Sequence, residues 1–235
     1  MKKLLIVLAL IVFAESAQAQ LFSKERLANL ENFDKRFLTW GYFLGFNSYD
    51  FKFEYENQFM DDNTDVLVES QSGFNVGLIG DMRINQYMNL RLEPGLYYAQ
   101  RNLMFPNFEE EKDFLREVKS TYIHVPLLVK FSTKRLNNIK PFVVAGISTS
   151  FNLSSNEDNP EDNFQGQFRT TKTTSYYEVG FGIDFYLFFF KFTPSIRGVF
   201  AMSDELVRDE DPNSPWTGNI TKMATRGVFI NFTFQ

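Results

Sequence analysis

The sequence predicts an all-β protein: an eight-stranded antiparallel transmembrane β-barrel with a short N-terminal periplasmic segment. Three observations carry this. The chain opens with an export signal, its remainder alternates apolar and polar residues at period two, and its connections alternate between short and long.

The export signal spans residues 1–19. Lys2 and Lys3 are followed by the uninterrupted apolar run Leu4–Ala14 and by Ala17-Gln18-Ala19, a small-residue cleavage site. The run is too short for a transmembrane helix, which needs about 20 residues. No later stretch reaches that length, so a membrane crossing has to use strands. The chain divides into 1–19, the signal; 20–38, a periplasmic segment; and 39–235, the barrel.

Strand by strand the period is two, because successive Cβ atoms point to opposite faces. Phe74, Val76, Leu78 and Met82 alternate with Asn75, Gly77, Asp81 and Arg83. Leu90, Leu92, Leu96 and Tyr98 alternate with Asn89, Arg91, Glu93 and Gly95. Ile123, Val125, Leu127, Val129 and Phe131 oppose Tyr122, His124 and Lys130, and Val143, Ala145, Ile147 and Phe151 oppose Gly146, Ser148 and Ser150. The clearest case sets Tyr177, Val179, Phe181, Ile183 and Phe185 against Glu178, Gly180, Gly182 and Asp184. Phe192, Ile196 and Phe200 then oppose Lys191, Thr193 and Arg197, and Val228, Ile230, Phe232 and Phe234 oppose Gly227, Asn231 and Thr233.

The first strand, Thr39–Tyr55, changes phase. Trp40, Tyr42, Leu44 and Phe46 are even-numbered, whereas Tyr49, Phe51, Phe53 and Tyr55 are odd-numbered. Either a bulge near Asn47-Ser48 keeps all of them on one face, or the strand leaves the membrane there.

Short connections are expected at Ile84–Met88, Thr133–Lys140 and Phe188–Phe190. Long polar ones are expected at Glu56–Ser72, Asn102–Val118, Ser154–Lys172 and Ser203–Ala224. Four long outer loops and three short periplasmic turns are what an eight-stranded outer-membrane barrel requires.

A lipocalin-like soluble barrel would share the alternation but hide its apolar face. Here the apolar faces are large and rich in Phe and Tyr. The opposite faces carry small residues and both signs of charge: Asp81, Glu93, Glu178 and Asp184 with Arg83, Arg91, Lys130, Lys191 and Arg197. That composition fits a narrow, neutralised interior, since buried charges persist only when paired.

Composition removes several kinds of chemistry. With no Cys there is no disulfide, thiolate nucleophile, Cys-ligated zinc, iron–sulfur cluster or lipoprotein anchor. The one His, His124, rules out a His cluster, and no nucleophile is marked beside it. It reads as a hydrogen-bonded interior residue. The net charge of −5 argues against nucleic acid. The acidic runs Glu109-Glu110-Glu111 and Asp209-Glu210-Asp211, with Asn213, lack a calcium-loop spacing and read as solvated. The expectation is a protein that is not an enzyme, with no catalytic residue, cofactor or metal.

Two features suggest contacts. Trp216, between Pro215 and Gly218, suits an anchor for a partner protein. In Leu21–Phe37, the stripe Leu27, Leu30, Phe33 and Phe37 has helical spacing. That helix would either pack against the barrel's lower rim or dock a periplasmic partner.

Several stretches resemble a known family. Arg91-Leu-Glu-Pro-Gly-Leu-Tyr-Tyr98, Tyr122-Ile-His-Val-Pro-Leu-Leu-Val-Lys130 and Pro141-Phe-Val-Val-Ala-Gly146 look like the outer-membrane β-barrels common in Bacteroidetes. Trp40-Gly-Tyr-Phe-Leu-Gly-Phe-Asn-Ser-Tyr-Asp-Phe51, Ser132-Thr-Lys-Arg-Leu136 and the loop from Ser203 through Gly218 resemble the PorT (SprT) branch. The resemblance covers essentially the whole chain after the signal and brings no catalytic residues with it. It implies a component of the type IX secretion system, needed to export proteins with C-terminal sorting domains and, in gliding species, adhesins. The implied partners are outer-membrane lipid and other secretion proteins, reached through the N-terminal segment and the long loops. A general structural or adhesive barrel without a secretion role is the alternative.

Overall fold

The computed structural model of the chain describes residues 28–56, 65–159, 161 and 163–235. The expected export signal lies outside the described residues, as do residues 20–27. Ten antiparallel segments form one sheet: β1 (Leu38–Tyr55), β2 (Leu67–Ser70), β3 (Ser72–Arg83), β4 (Met88–Leu92), β5 (Gly95–Met104), β6 (Leu115–Ser132), β7 (Ile139–Asn152), β8 (Thr173–Tyr186), β9 (Lys191–Ala201) and β10 (Ile220–Phe234). From β5 to β10 each strand pairs with the next, β3 pairs with β4 and β5, β2 with β5, and β4 with β6. β1 pairs with both β3 and β10, so the sheet closes. Closure removes every unpaired edge, a condition lipid imposes because it offers backbone groups no partner.

The ten segments make eight staves. β4 and β5 are one stave: Leu92 pairs with Gly80 and Gly95 with Gly77, so the register runs unbroken past Glu93 and Pro94. β2 and β3 are another, joined by a bulge at Gln71, where the pairing with β5 slips by one residue.

The outer faces carry the predicted apolar sets. Trp40, Phe46, Phe74, Leu78, Phe181 and Ile147 are all more than half exposed in the isolated chain. Aromatic residues concentrate at two levels. The upper girdle includes the stacked pairs Phe74–Tyr98 and Tyr177–Phe200, with ring centroids 5.6 and 5.1 Å apart. The lower one includes Tyr42 on Phe234 at 5.2 Å and Phe192 beside Phe232 and Phe234. From Leu187 to Tyr177 on one stave the outward residues span roughly 25 Å of membrane normal once strand tilt is allowed for. The inner faces carry the charges: Asp81, Arg91, Glu93, Lys130, Glu178, Asp184, Lys191 and Arg197 are all buried. Glycines on these faces make room for inward rings. A Cβ on Gly77 would stand 2.6 Å from the Phe43 ring, and one on Gly182 2.5 Å from the Phe142 ring.

The register of β1 against β10 is constant from Tyr42–Phe234 to Glu54–Lys222, so there is no bulge at Asn47-Ser48. The strand instead leaves the membrane. Beyond Phe46 the outward positions are Ser48, Asp50, Lys52 and Glu54, while Tyr49 and Phe51 point inward and are buried. The polarity of the barrel thereby inverts along its axis. Its outer end has a polar surface and an apolar core of Phe51, Leu103, Phe105, Phe168, Trp216 and Met223. Several ladders therefore extend further than the sequence indicated, and two outer loops are correspondingly shorter, 105–114 and 202–219 in place of Asn102–Val118 and Ser203–Ala224, whereas 153–172 matches the expected Ser154–Lys172 closely.

Candidate functional site

The chemistry-bearing side chains lie inside the barrel at three levels.

At mid-height, inward residues of six staves meet in one chain of ion pairs and hydrogen bonds. Arg91 donates to Asp81 at 2.7 Å and to Glu93 at 3.3 Å. Glu93 reaches across the lumen to Arg197 at 2.8 Å, and Arg197 pairs with Glu178 at 2.9 Å. Glu178 contacts His124 Nε2 at 2.7 Å, and His124 Nδ1 meets Ser150 Oγ at 2.6 Å. A separate link joins Lys130 to Asp184 at 2.5 Å, with Thr193 donating to the same carboxylate. These groups can be buried because each finds an opposite charge or a hydrogen bond.

His124 thus sits where the sequence put it, on the lumen face, but it is not without partners. Ser150 and Glu178 flank it in an order that resembles a hydrolytic triad. All three are sealed from solvent, and the rings of Tyr97, Tyr176 and Phe229 stand 4.9–5.9 Å from the imidazole, so a substrate has no route to Ser150 Oγ. Just above, Phe43, Tyr49, Tyr97 and Phe229 form a buried aromatic layer that fills the lumen. A barrel of eight staves is narrow enough for side chains to close it.

At the outer end, Arg101 donates to Thr225 Oγ1 and to the Tyr122 hydroxyl, and stands 3.8 Å over the Phe51 ring. Glu205 accepts from the Thr225 amide at 2.7 Å and from its hydroxyl at 3.0 Å. Burial raises the Glu205 carboxyl above its ordinary value, against the opposing pull of Arg101. Trp216, expected to anchor a partner, is turned inward. It stacks on Phe108 at 4.8 Å and donates through Nε1 to the Asp113 carbonyl at 3.1 Å. A large apolar ring gains more from the cap's own core than from water. Of the two acidic runs, Asp209 is buried and accepts from Asn163, Ser214 and Thr217, so its carboxylate holds the loop together.

At the periplasmic mouth, the described part of the N-terminal segment is a strap rather than a helix. A single 3₁₀ turn, Phe33–Lys35, is its only regular structure. It packs on the barrel's lower rim, as the first of the two readings had it. Phe33 meets Tyr186 edge-on at 6.2 Å, Asn29 bonds Asn138 and the Tyr186 carbonyl, and Arg135 donates to the carbonyls of Asn29 and Leu30. Asp34 accepts from the Tyr186 hydroxyl at 2.6 Å and faces Lys140 at 3.6 Å. The helical stripe fails because barrel-derived partners, not a regular ladder, satisfy the strap's backbone. Phe37, its expected last member, is exposed.

Sequence reasoning missed Arg101, Arg135, Ser150 and Glu205 as structural centres. Arg101 was within reach of it, since the inward phase of Arg91 and Glu93 continues through Tyr97 and Ala99 to Arg101. Arg135 and Glu205 lie in connections, where periodicity carries no information.

A closed ring of eight staves, lipid-facing rings outside and ion pairs inside, defines an integral outer-membrane β-barrel protein. Residues 18–207 match the family described as outer membrane protein beta-barrel domain, and the chain belongs to that family. Similar solved structures include OprG of Pseudomonas aeruginosa, with 14% identity, 84% of this chain and 93% of that chain covered, and a TM-score of 0.43. Neisserial surface protein A has 10% identity, coverage of 82% and 95%, and a TM-score of 0.42. Ail of Yersinia pestis, solved with the heparin analogue sucrose octasulfate, has 14% identity, coverage of 83% and 96%, and a TM-score of 0.39. No curated protein matches the chain.

Proposed function

We propose that the protein is a non-enzymatic component of the type IX secretion machinery, of the PorT kind, that works through its two ends rather than through its lumen. The PorT-like segments distributed over the whole chain support the secretion role. The observation that carries the mode of action is the sealed interior: the aromatic layer of Phe43, Tyr49, Tyr97 and Phe229 above the Asp81–Ser150 ionic chain leaves no conduit for an exported protein. What remains for contact is the polar outer extension and the periplasmic strap, and these are the surfaces that would meet other secretion proteins.

The test is deletion of the gene, followed by localisation of a reporter with a C-terminal sorting domain. Accumulation of that cargo in the periplasm is the expected result. Normal secretion would overturn the proposal and leave a structural or adhesive barrel. Affinity purification from solubilised outer membranes then identifies the chains that co-purify.

A further inference from the structure

The periplasmic mouth holds a partly enclosed cavity of about 200 Å³ between the strap and the staves. Six cationic and three anionic side chains line it, in a chain whose net charge is −5. The anionic ones are largely occupied. Asp81 takes Arg91 and Asn89, and Asp34 takes the Tyr186 hydroxyl and faces Lys140. Among the cations, Arg135 is spent on strap carbonyls and Lys35 on Asn32.

Lys191 and Arg83 differ. Lys191 is 4% exposed, and among the described residues no side chain or carbonyl accepts a hydrogen bond from its ammonium. It rests 4.8 Å over the Phe33 ring, and the carboxylates in electrostatic range, Asp81 and Asp184, are bonded to other donors. Arg36 stands over the same ring at 5.4 Å. Arg83, half-buried, lines the cavity, and among the described residues none accepts a hydrogen bond from its guanidinium. A buried ammonium with unused donors is costly unless an acceptor reaches it.

We propose that this mouth is a binding site for a small oxyanion of the phosphate class, with Lys191 and Arg83 as its principal donors and the Phe33 ring as its floor. Guanidinium and ammonium donors around a pocket of this size suit a tetrahedral oxyanion with a few waters. The ligand is either free phosphate or the headgroup of an inner-leaflet phospholipid, which lies at the same level as the rim.

The experiment uses the full chain without its signal, refolded in maltoside micelles, which carry no phosphate. Calorimetry at low ionic strength follows titration with inorganic phosphate in one arm and with a short-chain phosphatidylglycerol in the other. Saturable binding of phosphate identifies the free ion, and a response to the lipid alone identifies the headgroup. Either supports the site if affinity falls about tenfold or more in Arg83→Gln or Lys191→Gln, the loss expected for one charge-assisted hydrogen bond. Folding of each variant is checked by heat-modifiable gel mobility. Arg83 is only half-buried, so its variant keeps the test decisive if Lys191→Gln misfolds. Arg226→Gln, on the outer surface, is the control and keeps wild-type affinity. No binding of either probe, unchanged affinity in the folded variants, or an equal loss in the control would each overturn the proposal.

Discussion

Phe46 and Phe51 stand five residues apart on one unbroken strand and point to opposite sides of the barrel wall. Phe46 is 60% exposed on the lipid-facing side, and Phe51 is 3% exposed in the core of the outer extension. An odd spacing on a strand of period two makes this unavoidable. The membrane boundary therefore lies between them. Below it the outward face is apolar, and above it the outward face is polar.

The two rings should respond differently to substitution. Phe51→Ala leaves a hole in a packed core and is expected to cost about 3–5 kcal/mol. Phe46→Arg, at the rim of the lipid belt, is expected to cost about 1 kcal/mol or less. Urea unfolding in lipid vesicles, followed by Trp fluorescence, measures both, and equal losses would contradict the boundary.

The ionic chain makes a second contrast. Arg197 serves two buried carboxylates, Glu93 and Glu178, so Arg197→Met strands both and is expected to cost about 3–5 kcal/mol. Arg226 pairs with Asp50 on the wet outer surface, and Arg226→Met is expected to cost about 1 kcal/mol at most. The same unfolding measurement separates them.

The outer cap should loosen as pH rises. The folded-state pKa of Glu205 is raised by burial above the ordinary 4.5, so the folded cap holds that proton more tightly than the unfolded chain does. The stabilisation is complete below 4.5 and is lost as pH climbs through the raised value. Exchange of the Thr225 amide, which donates to Glu205, is expected to quicken over that window after correction for intrinsic rates. Glu205→Gln should flatten the dependence.

The strap depends on Arg135. In Arg135→Ala the carbonyls of Asn29 and Leu30 lose the guanidinium that ties them to the rim, and the Phe33 amide, bonded to Leu30, should lose about tenfold to a hundredfold of its exchange protection. Protection of the mid-barrel amides should stay as in the wild type.

The alternation of residues such as Tyr177 to Asp184 determined, without any coordinates, that strands cross the membrane and which face of each meets lipid. The period of two leaves only the choice of side, and the aromatic content of one face decides it. The count of period-two segments set the number of staves at eight, and the alternation of short and long connections agreed with it. Only the tertiary structure decided what the lumen does. Glu93 and Arg197 are 104 residues apart, and nothing local in either strand marks the other as its partner. The same holds for Trp216 turning inward and for the strap closing over Lys191. Periodicity reports the face a side chain occupies, whereas ring closure brings distant faces together, and the charge pairing and packing there depend on positions across the barrel rather than along the chain.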